Sequence, residues 1–143
     1  MPRMSAAEMN RFLVEHFPLL KDGLIVVEEI DAKGTCTRME STSLEHMRPG
    51  DVVNGPAMMT LADVAAYIEI QARIGPEVNC FTQSLNINFL RPAEPGAIVA
   101  RTRMVRLGGR AAVAAVEIFS QGNQRDAVAF ATVTYVMPGQ RGS

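Results

Sequence analysis

The run of residues 56–71 (PAMMTLADVAAYIEIQ) is apolar on nearly every side of a helix, and it constrains the fold of this 143-residue chain more than any other segment. Its Ala, Leu and Met residues favour a helix, and Pro56 suits the first helical turn. Gly75 and Pro76 provide the stop signal. A helix without a polar face has to be enclosed by other elements. The sequence therefore predicts a long central helix with a second layer around it.

The chain after this helix has the pattern of β-strands. Residues 81–89 alternate apolar and polar side chains, which predicts a strand with one apolar face. Longer strands are predicted at 97–107, 110–120 and 127–136, separated by turns rich in Gly and Asn. We expect these four strands to form an antiparallel meander. Their many Ala, Val and Thr side chains are small enough for the sheet to curve closely around the helix.

The chain before the central helix predicts a short helix and a hairpin. Ser5 is a suitable N-cap, with Glu8 as its capping-box partner, for an amphipathic helix over about residues 5–17. Strands at 24–27 and 35–39 flank a turn of Asp, Ala, Lys and Gly, which is typical of a hairpin.

The remaining segments give no sign of a second domain. Residues 41–55 have an irregular pattern, residues 138–143 are expected to fray, and no linker or repeat divides the sequence. A chain of this length matches the common size of one domain. We therefore expect a single domain over residues 1–143, of the α+β class, in which a curved antiparallel sheet wraps one long helix.

Composition excludes several classes of protein. Lys and Arg number 14 against 15 Asp and Glu, so the chain lacks the basic excess of a phosphate-neutralising nucleic-acid binder. No apolar run approaches the length of a membrane span, and the N-terminus lacks the apolar stretch of a signal peptide. Cys36 and Cys80 stand apart and His16 and His46 form no cluster, so we expect reduced thiols, no metal site and a cytoplasmic location.

Asp63 is the one charged residue between Val52 and Ile68, in the middle of the apolar helix. Burying an ionised carboxylate without a partner costs several kcal/mol or more. One explanation is that Asp63 faces a solvent-exposed strip near Tyr67 and Glu69, or accepts local hydrogen bonds. The other is that it lies in a cleft as a general base or nucleophile.

Asn54 and Gly55 stand at the start of the same helix, where free backbone N–H groups and the helix dipole can stabilise an oxyanion. Asn54 is also an ordinary N-cap residue, and Pro56 has no N–H, which leaves Gly55 as the candidate donor. Asp63 follows Gly55 by eight residues, about 12 Å along a helix. The two cannot reach one carbonyl from the same subunit, so a site that uses both requires a dimer.

Three segments carry a resemblance to a known family. Residues 50–63 (GDVVNGPAMMTLAD) resemble the signature of PaaI-like hotdog-fold thioesterases, in which a His-Gly-Gly motif opens the central helix and an Asp lies eight residues after the first Gly. Residues 88–93 (NFLRPA) resemble the family's strand that ends in an aromatic residue and Arg-Pro-Ala. Residues 106–110 (RLGGR) resemble its basic, glycine-containing hairpin. The resemblance covers about residues 24–136 and implies the hotdog fold.

The resemblance implies an acyl-CoA thioesterase of the 4-hydroxybenzoyl-CoA thioesterase superfamily. Asp63 falls on the family's catalytic carboxylate, a general base or nucleophile, and Gly55 on the backbone N–H that polarises the thioester carbonyl. Asn54 occupies the His position, and Pro56 replaces the second Gly. Thr82 falls on a hydroxyl position that helps to place the water.

The resemblance also implies partners and an assembly. Arg91, Arg106, Gly108 and Arg110 lie at turns where the family's CoA phosphates and pantetheine arm pass, although each Arg is equally well explained as a solvated loop charge. The family uses no metal or separate cofactor. Its members form a homodimer as the site-forming unit and assemble as dimers of dimers, so a homotetramer is expected here.

Two other functions stay open on the sequence. The substitutions at Asn54 and Pro56 are compatible with a non-catalytic acyl-CoA binder on the same fold. A hotdog dehydratase needs a His paired with an acid, and neither His16 nor His46 is placed on the central helix or the strand that faces it. The acyl group is left as small, medium-chain or aryl.

Overall fold

The helix expected from the apolar run is the centre of the molecule. A computed structural model describes residues 2–17, 23–40, 47–49, 52–77 and 79–137. Its helices are α1 (Ala6–His16) and α2 (Gly55–Ile74), and its strands are β1 (Ile25–Ile30), β2 (Thr35–Met39), β3 (Met47–Arg48), β4 (Val52–Val53), β5 (Phe81–Phe89), β6 (Ile98–Leu107), β7 (Ala111–Ser120) and β8 (Ala129–Val136). Within these ranges, no helix is both long and apolar enough to cross a membrane.

The layer around α2 is one six-stranded antiparallel sheet in the order β1-β2-β6-β7-β8-β5. The helix packs against β2 and against β5 to β8. Many core positions of the sheet carry small side chains, and Ala100, Ala112, Ala114 and Ala131 are fully buried. Small side chains let the backbone of a sheet approach a helix closely, so the predicted enclosure of α2 is confirmed.

The expected four-strand meander is wrong in one respect. β6, β7 and β8 follow one another, but β5 pairs with β8 at the edge of the sheet, and β6 pairs with β2. The connection at residues 90–97 therefore crosses two strands instead of forming a hairpin. Turn composition indicates where the chain reverses, but it does not indicate which strand becomes the neighbour across a connection of this length.

The predicted apolar face of β5 is also wrong at its N-terminal end. The register changes from Thr82 opposite Tyr135 to Ser84 opposite Thr134, so Gln83 is an extra residue in β5. A bulge of this kind moves the following side chains to the other face. Leu85 packs against the core with α2, and Thr82 contacts that helix through its hydroxyl group.

The remaining boundaries agree with the sequence to within a few residues. α1 has the predicted capping box between Ser5 and Glu8. β1 extends to Ile30, three residues beyond its expected end, and the segment expected to be irregular contains the short β3–β4 pair. His46, most of residues 41–51 and the tail 138–143 lie outside the described residues.

The edge of the sheet at β1 is covered by α1. The side chain of Asn10 accepts a hydrogen bond from the Val27 N–H (2.9 Å) and donates one to the Val27 carbonyl (3.0 Å). An edge strand otherwise leaves such groups free to pair with another chain. The register of β1 is also broken between Val27 and Glu29, which interrupts its hydrogen-bonding row.

We predict that Asn10→Ala lowers the free energy of unfolding by about 1–3 kcal/mol, because two hydrogen bonds to the buried Val27 are lost together. Urea denaturation measures the change. The control is Arg11→Ala, which also introduces an alanine on α1 but at an exposed position. It should change the free energy of unfolding by less than about 0.5 kcal/mol. Equal effects of the two substitutions would contradict a role for Asn10 in fastening α1 to β1.

Candidate functional site

Asp63 lies on α2 beside the N-terminal end of β5, half-buried and hydrogen-bonded. Tyr67 and Glu69, which would mark a solvent-exposed strip of the helix, are only 5% and 1% exposed, so the exposed-strip explanation is wrong. Glu69 pairs instead with Arg73 (2.7 Å). Asp63 does accept hydrogen bonds, as the other form of that explanation expects, but they come from β5 and β8 and not from neighbouring residues of the helix. Asp63 faces a cavity, which agrees with the alternative explanation of a carboxylate in a cleft.

Two hydroxyl groups meet at the same oxygen of the Asp63 carboxylate. Thr82 donates its hydroxyl proton to Oδ1 at 2.6 Å, and the Tyr135 hydroxyl lies 2.9 Å from Oδ1 and 3.1 Å from the Asp63 main-chain carbonyl. Thr82 and Tyr135 are direct cross-strand partners on β5 and β8. In the part of the chain that the structure describes, Oδ2 of Asp63 accepts no hydrogen bond.

Burial raises the pKa of Tyr135, and the neighbouring Asp63 carboxylate adds to that rise. Tyr135 is therefore a neutral phenol at physiological pH, and its hydroxyl acts as a donor to Asp63. Burial also raises the pKa of Tyr67 and of the Cys80 thiol in the same cavity. These three groups stay uncharged, so the charge at this site is that of the carboxylate.

The cavity beside Asp63 has a volume of about 250 Å³ and a mostly apolar, aromatic wall. Tyr67 is one of the lining residues, and its ring centroid is 5.1 Å from that of Phe17 and 5.9 Å from that of Tyr135. The hydroxyl of Tyr67 donates a hydrogen bond to the carbonyl of Glu77 (3.2 Å). Leu13 and Phe17 at the end of α1 contribute to the wall, so the N-terminal helix closes one side of the cavity.

Gly55 is the first residue of α2, and its N–H precedes the hydrogen bonds of the helix. Asn54 is the N-cap: its side chain accepts a hydrogen bond from the Ala57 N–H at 2.8 Å. Gly55 lies close to the ring of Phe89, because a Cβ atom at this position would be 3.2 Å from the ring. The structure thus places Gly55 at the C-terminal end of β5.

Gly55 and Asp63 are not brought together within one chain. Gly55 lines a separate cavity with Phe89 and Arg91, whereas Asp63 lines the aromatic cavity at the other end of β5. Within one protomer the two candidate groups therefore line separate cavities, as the eight-residue spacing predicts.

The basic residues expected to contact CoA also lie at two ends of the sheet. Arg91 shares the cavity of Gly55 and donates its Nε proton to the carbonyl of Ala127 (3.1 Å). Arg106, Gly108 and Arg110 lie on or beside the β6–β7 hairpin, where the Gly108 N–H bonds to the carbonyl of Ala111 (2.9 Å).

The sheet register places this hairpin at the Asp63 end of the molecule. Leu107 is opposite Ala112, Ala112 is opposite Tyr135, and Tyr135 is opposite Thr82. These four residues form one row across β6, β7, β8 and β5. Since neighbouring strands are about 4.8 Å apart, Leu107 is roughly 14 Å from Thr82 across the sheet.

Sequence reasoning missed Tyr135, the second hydroxyl on Asp63. It lies 72 residues from Asp63 along the chain, in a strand whose alternating pattern marks it as a core residue. The one feature of the sequence that could have drawn attention to Tyr135 is that the chain contains only two tyrosines.

No set of three His, Cys, Asp or Glu side chains that could hold a metal ion occurs within the described ranges. The ring of the exposed His16 packs against that of Phe12 on α1 in a tilted arrangement, with 4.5 Å between ring centroids and 48° between the planes. The expectation that the reaction uses no metal or cofactor stays a prediction.

The sequence model of the Thioesterase superfamily matches residues 50–127, which is more than half of the chain. The chain therefore belongs to the Thioesterase superfamily, a family of thioester hydrolases. The matched segment contains α2 with Gly55 and Asp63, β5 with Thr82, and the β6–β7 hairpin.

Two named relatives are esterases by description. Putative esterase Ta0293 of Thermoplasma acidophilum is 36% identical over 62 residues, which cover 43% of this chain and 46% of that protein. The chain thus matches less than half the length of this relative. Putative esterase VNG_1336C of Halobacterium salinarum is 27% identical over 126 residues, 86% of this chain and 83% of that protein.

Solved structures show the same architecture. A putative thioesterase from a Silicibacter species has a TM-score of 0.86 at 29% identity, covering 96% of this chain and 94% of that one. The Escherichia coli PaaI protein, from the phenylacetic acid degradation operon, has a TM-score of 0.77 at 20% identity, covering 94% and 95%. The predicted hotdog fold and the resemblance to PaaI-like proteins are confirmed, and so, at the level of the family, is the prediction of a thioester hydrolase.

Proposed function

We propose that this protein hydrolyses the thioester bond of a small, medium-chain or aryl acyl-CoA, with Asp63 as general base or nucleophile. The observation that carries the proposal is the Asp63 carboxylate, which is held by two neutral hydroxyl groups beside an apolar cavity. A carboxylate without a cationic partner keeps its charge available for proton transfer or attack. The cavity beside it supplies an apolar place for the acyl group.

The chemistry balances on either route. As a base, Asp63 takes a proton from water while the water oxygen bonds to the carbonyl carbon; the C–S bond then breaks, and the sulfur of CoA leaves with that proton as a thiol. As a nucleophile, Asp63 bonds to the carbonyl carbon and expels the thiolate of CoA, which takes a proton from solvent. Water then cleaves the resulting anhydride and restores the carboxylate. Neither route uses a metal or a separate cofactor.

The carbonyl oxygen gains negative charge in both routes and needs a donor. The proposed donor is the N–H of Gly55, supported by the partial positive charge at the start of α2. Because Gly55 and Asp63 of one chain lie at opposite ends of β5, the donor has to come from a second subunit.

The free edge of β5 offers the geometry for such a dimer. Among the strands that the structure describes, β5 pairs with β8 on one side and with none on the other, and Phe81 and Phe89 at its two ends are 60% and 48% exposed. Two copies of β5 that pair antiparallel about a two-fold axis would join two sheets into one. The N-terminal end of one β5 then lies beside the C-terminal end of the other.

This arrangement brings the two candidate groups together. Asp63 is bonded to Thr82 at the start of β5, and Gly55 contacts Phe89 at its end. Antiparallel pairing therefore places Gly55 of the partner subunit next to Asp63. The homodimer is proposed as the catalytic unit; the homotetramer and the cytoplasmic location stay predictions.

The same pairing gathers the cations proposed to bind CoA. Arg91 is near Gly55, so Arg91 of the partner subunit arrives at the Asp63 end together with Gly55. Arg106 and Arg110 of the first subunit lie on the hairpin at that end. Guanidinium groups from both subunits then flank one site mouth, where they can bind the phosphates of CoA.

We predict that Asp63→Asn lowers kcat for acyl-CoA hydrolysis on the order of 10²- to 10⁴-fold, the usual contribution of a general base. Steady-state assays of free-thiol release over a panel of small, medium-chain and aryl acyl-CoAs measure it. Asp126→Asn, the same change at an exposed position, is the control and should retain wild-type turnover. Full activity of Asp63→Asn would rule out the mechanism, and CoA binding by calorimetry without turnover by the wild type would favour the non-catalytic binder.

Substitution of Gly55 tests the N–H directly. Gly55→Pro removes this N–H at a helix position that favours proline, and the preceding Asn54 already has the extended backbone that proline requires (ψ 161°). Gly55→Ala adds a side-chain carbon near Phe89 but keeps the N–H, which makes it the matched control. We expect kcat of Gly55→Pro to fall on the order of 10²- to 10³-fold below that of Gly55→Ala. Equal kcat values would show that the N–H is not used.

Mixing the two inactive variants tests whether the site is shared. Random exchange of Asp63→Asn and Gly55→Pro subunits makes about half of the dimers hybrid, and each hybrid has one intact site. We predict recovery of about a quarter of wild-type activity after subunit exchange. A mixture as inactive as its parents would mean that both groups act from the same chain.

A further inference from the structure

We propose that Tyr135 is a positioning residue for hydrolysis, which, together with Thr82, holds Oδ1 of Asp63 and leaves Oδ2 as the oxygen that acts. This inference rests on the proposed function, since it assigns roles to the two oxygens of its catalytic carboxylate. It adds a residue that the sequence analysis did not single out. Tyr135 also lies outside the segment matched by the family model, which ends at residue 127.

The contacts divide the carboxylate into a held and an open oxygen. Both the Thr82 and the Tyr135 hydroxyl groups lie within hydrogen-bonding distance of Oδ1, at 2.6 and 2.9 Å. Among the residues that the structure describes, Oδ2 has no hydrogen-bonding partner. An oxygen that accepts two hydrogen bonds is the weaker base and nucleophile of the pair, so proton transfer or attack falls to Oδ2.

The placement of Tyr135 makes it a rigid holder. It is 5% exposed, its ring packs against Tyr67, and it stands directly opposite Thr82 on the neighbouring strand. Its hydroxyl also lies 3.1 Å from the main-chain carbonyl of Asp63. Tyr135 therefore contacts both the side chain and the backbone of Asp63, and it fixes the rotation of the carboxylate relative to the helix. Misplacing a reacting group by about 1 Å can cost 10²-fold in rate.

Tyr135→Phe isolates this role, because it removes the hydroxyl and keeps the ring. Tyr67→Phe is the matched control: Tyr67 is the only other tyrosine in the chain, it lines the same cavity, and its hydroxyl bonds to the Glu77 carbonyl instead of Asp63. We expect Tyr135→Phe to lower kcat about 10- to 100-fold, as for loss of one hydrogen bond to a charged group, with KM changed less than about twofold. We expect the kcat of Tyr67→Phe to fall less than that of Tyr135→Phe, because the Tyr67 hydroxyl bonds to the Glu77 carbonyl and not to Asp63.

The pH dependence distinguishes positioning from packing. A donor to a carboxylate favours its charged form, so loss of the Tyr135 hydroxyl should move the acidic limb of the kcat profile to higher pH. The cavity has two other titratable side chains, Cys80 and Tyr67. Cys80 is present in both variants, and Tyr67 is absent only from the Tyr67→Phe control. A KM effect alone, an unmoved acidic limb, or a kcat loss equal to that of Tyr67→Phe would overturn the proposal.

A second measurement needs neither turnover nor a folded Tyr135 variant. With 3-fluorotyrosine in the wild-type chain, ¹⁹F NMR gives two signals, which Tyr67→Phe assigns. We expect the Tyr135 signal to move in Asp63→Asn, because that substitution changes the group that its hydroxyl contacts, while the Tyr67 signal is the same in both. If the wild type hydrolyses no thioester, the proposed function fails; a Tyr135 signal that does not depend on Asp63 overturns the present inference by itself.

Discussion

Burial of α2 against small side chains is the constraint on which the rest of the structure depends. The helix has no face that favours water, so the sheet has to wrap it, and fully buried alanines such as Ala112 and Ala131 let the strands come close enough. The close fit fixes the register of the sheet against the helix. That register determines which residues of β5 and β8 lie opposite Asp63. Asp63 itself lines a cavity between the helix and the sheet.

The two acids inside this helix are accommodated in different ways. Burial raises the pKa of Glu69, and the guanidinium of Arg73 opposes that rise by pairing with the carboxylate. Asp63 has hydroxyl groups as partners instead, which compensate for lost water without neutralising the charge. An acid paired with a cation has its charge engaged in structure, whereas an acid held by neutral donors keeps it for chemistry. The nature of the partners, more than the burial itself, separates a structural acid from a candidate catalytic one.

The sequence was sufficient to predict the features that depend on local residue pattern and on the chemistry of single residues. The cap at Ser5, the extent of α2 and the strands of the second half follow from periodicity and turn residues, and Asp63 stands out because a charge in an apolar helix is costly. The position of β5 beside β8 was missed, because partner choice across residues 90–97 depends on packing over the whole sheet. The bulge at Gln83 and the contact of Tyr135 were missed for the same reason, since each depends on register between segments far apart in sequence.

The two edges of the sheet differ in a way that limits how many chains can join. At β1, Asn10 occupies the backbone groups of Val27, and the exposed Glu28 and Glu29 sit at a break in register. At β5 the edge is long and flanked by exposed phenylalanines. The strand pairing proposed at β5 would use the open edge and leave two blocked edges at β1, so it would stop after two chains. The cap on β1 would thus make edge pairing self-terminating, so the association proposed through β5 could not grow into a fibre.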